Sequence, residues 1–276
     1  MFADNSFRRR WWLYLLLTIA LLVVVTPFVW MALGSFKSSA ELRRVPPTWL
    51  PESPTLDNFV QLFSRLSFGT YFANSTIVAV TVTAGNLLFC SAVGYALAML
   101  NFRGKKVIFA LILATLMIPG VVTFVPLFVL VANMGLANTL PGLILPFLVG
   151  PFGVFLMRQF ISGLPKDLVE AGRIDGAGEL KIFFRIILPL LGPAMATLGI
   201  LTFLGSWNNF LWPLVVAQTN DSYTLPVALA LYSTGQNQTE YGLLMAGATI
   251  VVLPVLVVFL LFQKRFIEGI ATTGIK

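Results

Sequence analysis

The ionisable residues of this sequence gather in short clusters between long apolar runs. The densest is Leu164-Pro165-Lys166-Asp167-Leu168-Val169-Glu170-Ala171-Gly172-Arg173-Ile174-Asp175-Gly176. Carboxylates and cations this close invite acid–base or metal chemistry, but the residues that complete such sites are missing. The chain has no histidine, and its one cysteine, Cys90, lies inside an apolar run. A Ser-His-Asp set and a zinc site of His and Cys are therefore excluded, and Cys90 reads as a small lipid-facing or packing residue. Nothing matches G-x-x-x-x-G-K-[ST], the loop that cradles phosphates on backbone amides. The chain reads as a non-enzyme with no metal and no cofactor of its own.

The cluster instead has the design of a short amphipathic helix. Pro165 fits a first helical position, where its missing N–H costs nothing. Leu164, Leu168 and Ala171 recur four and three residues apart as an apolar stripe. Gly176 is placed to end the helix in a left-handed conformation. Ala171 and Gly172 leave backbone open to close approach by another body. Glu170 has two readings: a pair with Arg173 or Lys166 on its own helix, worth about 0.2–0.5 kcal/mol, or a contact with a partner. Further on, Glu179 falls near a helix N-terminus, where a carboxylate is favoured, while Lys181 and Arg185 suit lipid headgroups.

The elements that position this cluster are membrane spans. Residues are 58% hydrophobic and 11% charged, against about 25% charged in soluble domains, and the apolar runs exceed the ~18 residues that mark a membrane span. Six spans are expected at about 11–33, 71–100, 107–131, 138–157, 186–216 and 242–262, in a single all-α polytopic domain covering 1–276. Trp11, Trp12 and Tyr14 suit an interfacial belt. The first apolar run, behind Arg8, Arg9 and Arg10, is too long for a signal-peptide core and reads as a retained helix. Segment 107–157 carries no charge; it exceeds one crossing and is broken at 132–138, with kinks expected at Pro119, Pro126, Pro146 and Pro151.

Charge placement orients the spans. Of the 18 Lys and Arg, all but Lys37, Arg43, Arg44 and Arg65 fall at the N-terminus, the 101–106 turn, the 158–185 loop and the 263–276 tail. That asymmetry puts these segments, and both termini, in the cytoplasm. The net charge of +7 is thereby explained without nucleic acid, for which no basic stripe interleaved with aromatics exists. The spans themselves hold no Asp, Glu, Lys or Arg. Ion-driven transporters usually carry such residues within the membrane, so the driving energy comes from elsewhere, or the solute moves passively through a carrier or channel.

Late in the fifth span, Ser206, Trp207, Asn208, Asn209 and Trp212 combine aromatic faces with amides and a hydroxyl, the mixture that binds sugars. Asn86 in the second span is another intramembrane polar group. Each also has a plain role, tryptophan as interfacial anchor and asparagine as a bridge between helices.

Glu170-Ala171-Gly172, three residues, Gly176, nine residues and then Ile186-Ile187-Leu188-Pro189 resembles the EAA loop of bacterial ABC importer permeases, E-A-A, three residues, G, nine residues, I-x-L-P. Gly172 departs from the usual alanine, at a helix cost of order 1 kcal/mol. Ser35-Phe36-Lys37-Ser38, Pro46-Pro47-Thr48-Trp49, Trp207-Asn208-Asn209-Phe210-Leu211-Trp212-Pro213 and Phe262-Gln263-Lys264-Arg265-Phe266 extend the resemblance to the carbohydrate permeases of the maltose-transporter type. It implies the type I importer transmembrane fold, in a bacterial inner membrane, with a homologous second permease, a cytoplasmic ATP-binding-cassette ATPase dimer holding ATP and Mg, and an external solute-binding protein. It also implies that Glu170, Ala171, Gly172, Arg173, Asp175 and Gly176 dock in the ATPase. The tail residues Gly269, Thr272, Thr273, Gly274 and Lys276 would reach the ATPase as a flexible probe, or form a frayed end. The outer loop 217–241 would meet the binding protein.

Overall fold

A computed structural model describes residues 4–65, 67–233 and 240–273. All of its regular structure is helical among the described residues. Trp11–Gly34, Phe68–Met99 and Tyr241–Leu261 are each long and apolar enough to cross a membrane as one helix. Three further stretches qualify only as bent pairs: Lys105–Leu116 with Gly120–Asn133 at 104°, Leu140–Phe147 with Pro151–Ser162 at 41°, and Glu179–Leu190 with Gly192–Trp207 at 81°. At 1.5 Å per residue a 12-residue limb such as Lys105–Leu116 spans only about 18 Å, short of the ~30 Å hydrocarbon core.

The breaks have local causes. Pro119 caps the second limb of the first pair, with extended ψ, and its ring removes the N–H that would continue the helix. The expected run 107–131 is thus sharply folded rather than kinked. In the third pair Pro189 and Pro193 flank a fully buried Leu191; Pro193 crowds the carbonyl four residues back. A continuous 186–216 helix was expected from the hydropathy alone. The chain turns at Leu191, breaks again at 208–210, and resumes as Leu211–Val216. The closing helix, Tyr241–Thr273, runs through most of the segment expected to be a flexible tail. No proline follows Pro254 to stop it.

The chain divides into two compact units, Met1–Phe68 with Leu229–Pro254, and Gly69–Ala228 with Val255–Lys276. In the first, Trp11–Gly34 is exposed around its circumference, and a polar clasp follows it. The Lys37 ammonium, almost fully buried, donates to the Thr48 carbonyl and to Thr48 Oγ1 at 3.2 Å, and lies 4.9 Å from the Trp30 ring. Glu41 accepts from Thr48 Oγ1 at 2.6 Å and from the Glu52 amide at 3.1 Å, and the Thr48 bond holds its carboxyl below the usual carboxylate range. Asn58 closes the clasp on the carbonyls of Ser35 and Lys37.

In the second unit, one stripe of the second span, Asn86, Cys90 and Gly94, meets Pro151–Ser162. A Cβ on Gly94 would lie 2.9 Å from the Arg158 backbone nitrogen, and one on Gly153 would lie 2.8 Å from Cys90 Sγ. Small residues four apart let the helices approach, as in membrane helix pairs generally. Cys90 is fully buried there. Around this contact a single apolar cluster joins Tyr95 and Leu97 to Met157, Ile161, Val169, Ile182, Phe183, Ile187 and Leu191.

Candidate functional site

Two places in the second unit combine polar groups with access. The first is the loop 158–185. Its helix is Asp167–Ile174, with Lys166 at the N-cap and Asp167 and Glu170 in the first turn, where carboxylates complement the helix dipole. Pro165 stands one residue before the cap rather than at the first helical position. Gly176 has φ +74° and its amide donates to the Arg173 carbonyl at 3.0 Å, the left-handed stop expected of it.

The buried face differs from the expected stripe. Val169 and Gly172 are buried and Leu168 is half-buried, whereas Ala171 is exposed. A Cβ on Gly172 would lie 3.0 Å from Ile186 Cδ1 and 3.1 Å from Ile182 Cγ1. Gly172 therefore seats the helix on the chain that follows it, and offers no backbone to a partner. Only the helix axis relative to Glu179–Ile187 fixes which side faces inward, and that is a tertiary fact. Gly172→Ala is expected to leave stability within about 1 kcal/mol of the parent, because the gain in helix propensity offsets small shifts of two isoleucine termini. A lowered midpoint of more than a few degrees in detergent would show that the isoleucines cannot yield.

The outward face carries Glu170, Ala171, Ile174 and Asp175, all exposed, with Ile174 at 86%. Among the described residues, Glu170 makes no ion pair or side-chain hydrogen bond. The pairing with Arg173 weighed from the sequence does not form, because Arg173 Nε donates to Glu179 Oε1 at 2.8 Å. Glu179 Oε2 accepts from the Tyr95 hydroxyl at 2.5 Å. This bridge between the loop and the second span was not read from the sequence; Tyr95 lies 84 residues away and nothing local signals it. Arg173 is consequently engaged by Glu179, while Glu170 stays exposed.

The second place is a cavity of about 410 Å³ lined by Asn86, Pro146, Phe147, Thr202, Gly205, Ser206, Asn209, Trp212 and neighbours. It falls in the usual size range of small-ligand pockets, about 300–1,000 Å³. Thr202 and Ser206 lie four residues apart and share a face of Gly192–Trp207, and Asn209 follows in the break at 208–210. The hydroxyls of Thr202 and Ser206 and the Asn209 amide nitrogen have no protein partner among the described residues. Thr202 was not anticipated; its spacing from Ser206 is the signal that could have found it.

Asn86 both bridges and lines. Its amide donates to the Phe147 carbonyl at 2.6 Å and the Val82 carbonyl at 3.3 Å, inside a π-helical turn, Asn86–Cys90. Such turns often mark functional sites. Trp212 forms wall only: its indole N–H donates to the Gly142 carbonyl at 3.2 Å, and Phe124 and Phe147 meet its ring edge-on. Trp207 and Asn208 are not brought to the cavity. Trp207 is buried against Phe72 and Phe203, and Asn208 bonds back to the Leu204 carbonyl at 3.0 Å.

Beyond the cavity, Asn138 with φ 60° gathers the start of the 217–241 loop. Its side-chain oxygen accepts from the backbone amides of Gln218 and Thr219 and from the Ser222 hydroxyl, and its backbone N–H donates to the Val216 carbonyl at 2.7 Å. Asn74 holds the carbonyls of Asp221 and Tyr223, and Ser75 accepts from the Leu225 amide. The loop's remaining residues, 234–239, lie outside the described residues. At the other end of the chain, Gly269, Thr272 and Thr273 fall on the closing helix; Gly274 and Lys276 lie outside the described residues.

Residues 90–271 match the family described as the binding-protein-dependent transport system inner membrane component. The arabinooligosaccharides transport system permease protein of Halalkalibacterium halodurans is 44% identical over 92% of this chain and 92% of its own length. The diacetylchitobiose uptake system permease protein of Streptomyces coelicolor is 37% identical over 94% of this chain and 86% of its own. Among solved structures, a subunit of a bacterial ABC transporter involved in import of the acidic polysaccharide alginate superposes with a TM-score of 0.85, at 24% identity, covering 96% of this chain and 99% of that one. That likeness establishes the shared fold.

Proposed function

Because the chain belongs to the family of binding-protein-dependent transport system inner membrane components, we propose that it is one channel-forming subunit of an ABC importer that moves a sugar across the bacterial inner membrane. The permease leaves its solute chemically unchanged, and ATP hydrolysis belongs to a separate subunit, which binds ATP and Mg. A homologous second permease completes the pathway. Both termini face the cytoplasm, by the distribution of lysine and arginine. The outer loop gathered on Asn138 receives the external binding protein, and the end of the closing helix reaches toward the ATPase.

The observation that carries the coupling role is the division of labour on Asp167–Ile174. One face is seated on Ile182 and Ile186 through Gly172, while the other presents Glu170, Ala171, Ile174 and Asp175 to the solvent. An exposed apolar residue beside an exposed carboxylate offers a partner both an apolar and a charged contact. Glu170 meets a basic residue of the ATPase, Ile174 fills an apolar recess, and Gly176 lets the chain turn away. In the membrane, Thr202, Ser206, Asn209 and Asn86 supply hydroxyl and amide partners in an otherwise apolar cavity, which suits a sugar. The relatives' names, for arabinooligosaccharides and diacetylchitobiose, support a carbohydrate.

Affinity purification of the tagged chain from its native membrane, with mass identification of co-purifying proteins, tests this reading. The expected result is a second permease together with a Walker-type ATPase. Recovery of the chain alone, still moving solute after reconstitution, would leave a carrier or channel in its place.

A further inference from the structure

Glu179 lies outside the residues of the docking face, yet its two carboxylate oxygens are taken by two different elements. Oε1 accepts from Arg173 of the loop helix at 2.8 Å, and Oε2 accepts from Tyr95 of the second span at 2.5 Å. Tyr95 is 4% exposed and its ring rests on Phe183, 5.6 Å between centroids. The hydroxyl therefore comes from a side chain that cannot wander. The other contacts in this region are apolar: Val169 of the loop helix belongs to the same cluster as Tyr95 and Leu97. Apolar contacts are non-directional and let one helix slide on another. A carboxylate that accepts two charge-assisted or ionic hydrogen bonds fixes direction as well as distance.

Resting on the coupling role argued above, we propose that Glu179 is a positioning residue that makes the loop helix and the second span move as one body, through Tyr95. Tyr95 stands nine residues from Asn86 on the same span, about 14 Å along a helix, and Asn86 lines the cavity. A displacement received at the docking face thus has a short, hydrogen-bonded route to the solute path. Glu179 has a second effect. By holding Arg173, it keeps that cation from Glu170, three residues back on the same helix and within pairing reach. The docking carboxylate stays available because its natural partner is engaged elsewhere.

The test uses the purified complex with its ATPase in lipid nanodiscs, carrying spin labels on Asp167→Cys and Asn101→Cys. Cys90 remains in place, since it is fully buried. The distance between the labels is measured without nucleotide and after trapping with ATP and vanadate. With native Tyr95 and Glu179 the distance is expected to be the same in both states. Tyr95→Phe removes only the hydroxyl, and is expected to lengthen and broaden the distance in the trapped state alone, with the ATPase still bound. Glu179→Gln provides a second variant should Tyr95→Phe fail to assemble, and is expected to act in the same direction. Distances that match the parent in both states overturn the proposal. So does an equal change in both states, which marks a purely structural contact. If the parent complex does not retain an ATPase at all, the coupling role itself fails, and the result is distinguishable from either of these.

Discussion

Glu170→Lys is expected to strip the ATPase from the purified permease and to abolish ATP-dependent uptake. The carboxylate is exposed and unpaired among the described residues, so reversing it is expected to leave the fold of the loop intact. Gly172 still seats the helix, Arg173 still pairs with Glu179, and Gly176 still turns the chain. The loss falls on the partner. Truncating one member of a buried interfacial charge pair costs about 2–5 kcal/mol, and reversal adds repulsion. At about 1.4 kcal/mol per tenfold, the ATPase binds at least ~30-fold more weakly. Glu170→Gln, which loses only the charge, is expected to fall between lysine and the parent. The check is the amount of ATPase recovered per permease in detergent, together with uptake into vesicles. Full retention of both with Glu170→Lys would place the docking contact elsewhere. Ile174→Asp is the natural companion, since it removes the apolar half of the same face.

Gly205→Trp is expected to lower solute uptake by at least about tenfold while leaving the ATPase bound. Gly205 lines the cavity, and a Cβ there meets nothing within 4 Å. The substitution therefore adds an indole to open space without straining the helix, and helix propensity favours it over glycine. The ring would fill the space beside Thr202, Ser206 and Asn209, whose hydroxyls and amide nitrogen have no protein partner among the described residues. Uptake of a labelled oligosaccharide that the parent complex transports, into reconstituted vesicles, measures the effect, with co-purified ATPase as the control. Undiminished uptake with the tryptophan in place would mean that solute passes on the partner permease's side. Paired with Glu170→Lys, this variant separates the two sites, because one breaks association and the other breaks only passage.

Much of this molecule was legible before any coordinates. A bilayer has no water to solvate backbone amides, so each apolar run of sufficient length must become helix, and the distribution of lysine and arginine then orients the runs. The loop motif was equally readable, because a fixed spacing of Glu170, Gly176 and Pro189 is a local property of the chain. Gly176 adopts the left-handed turn for which a residue without Cβ is suited. Proline positions announced kinks in segment 107–157, although Pro126 lies within the continuous helix Gly120–Asn133.

What the sequence left open was the size of each break and the company each side chain keeps. Pro119 signals a kink equally well at 30° or at the 104° observed; the angle depends on what the two limbs pack against. Trp207 and Trp212 look alike in a row of aromatic and amide residues. One is sealed against Phe72 and Phe203, and the other forms a cavity wall with its N–H already committed to Gly142. Gly172 read as an open backbone and is in fact the seat of the helix. The sequence by itself determined an all-helical chain with apolar runs of membrane-spanning length and a charged loop helix that ends at Gly176, because these follow from hydropathy and short-range spacing. Only the tertiary structure decided that Glu179 joins Arg173 to Tyr95 and that Thr202, Ser206, Asn209 and Asn86 share one cavity. Tyr95 and Glu179 stand 84 positions apart, and directional hydrogen bonds at that separation depend on packing that no local pattern encodes.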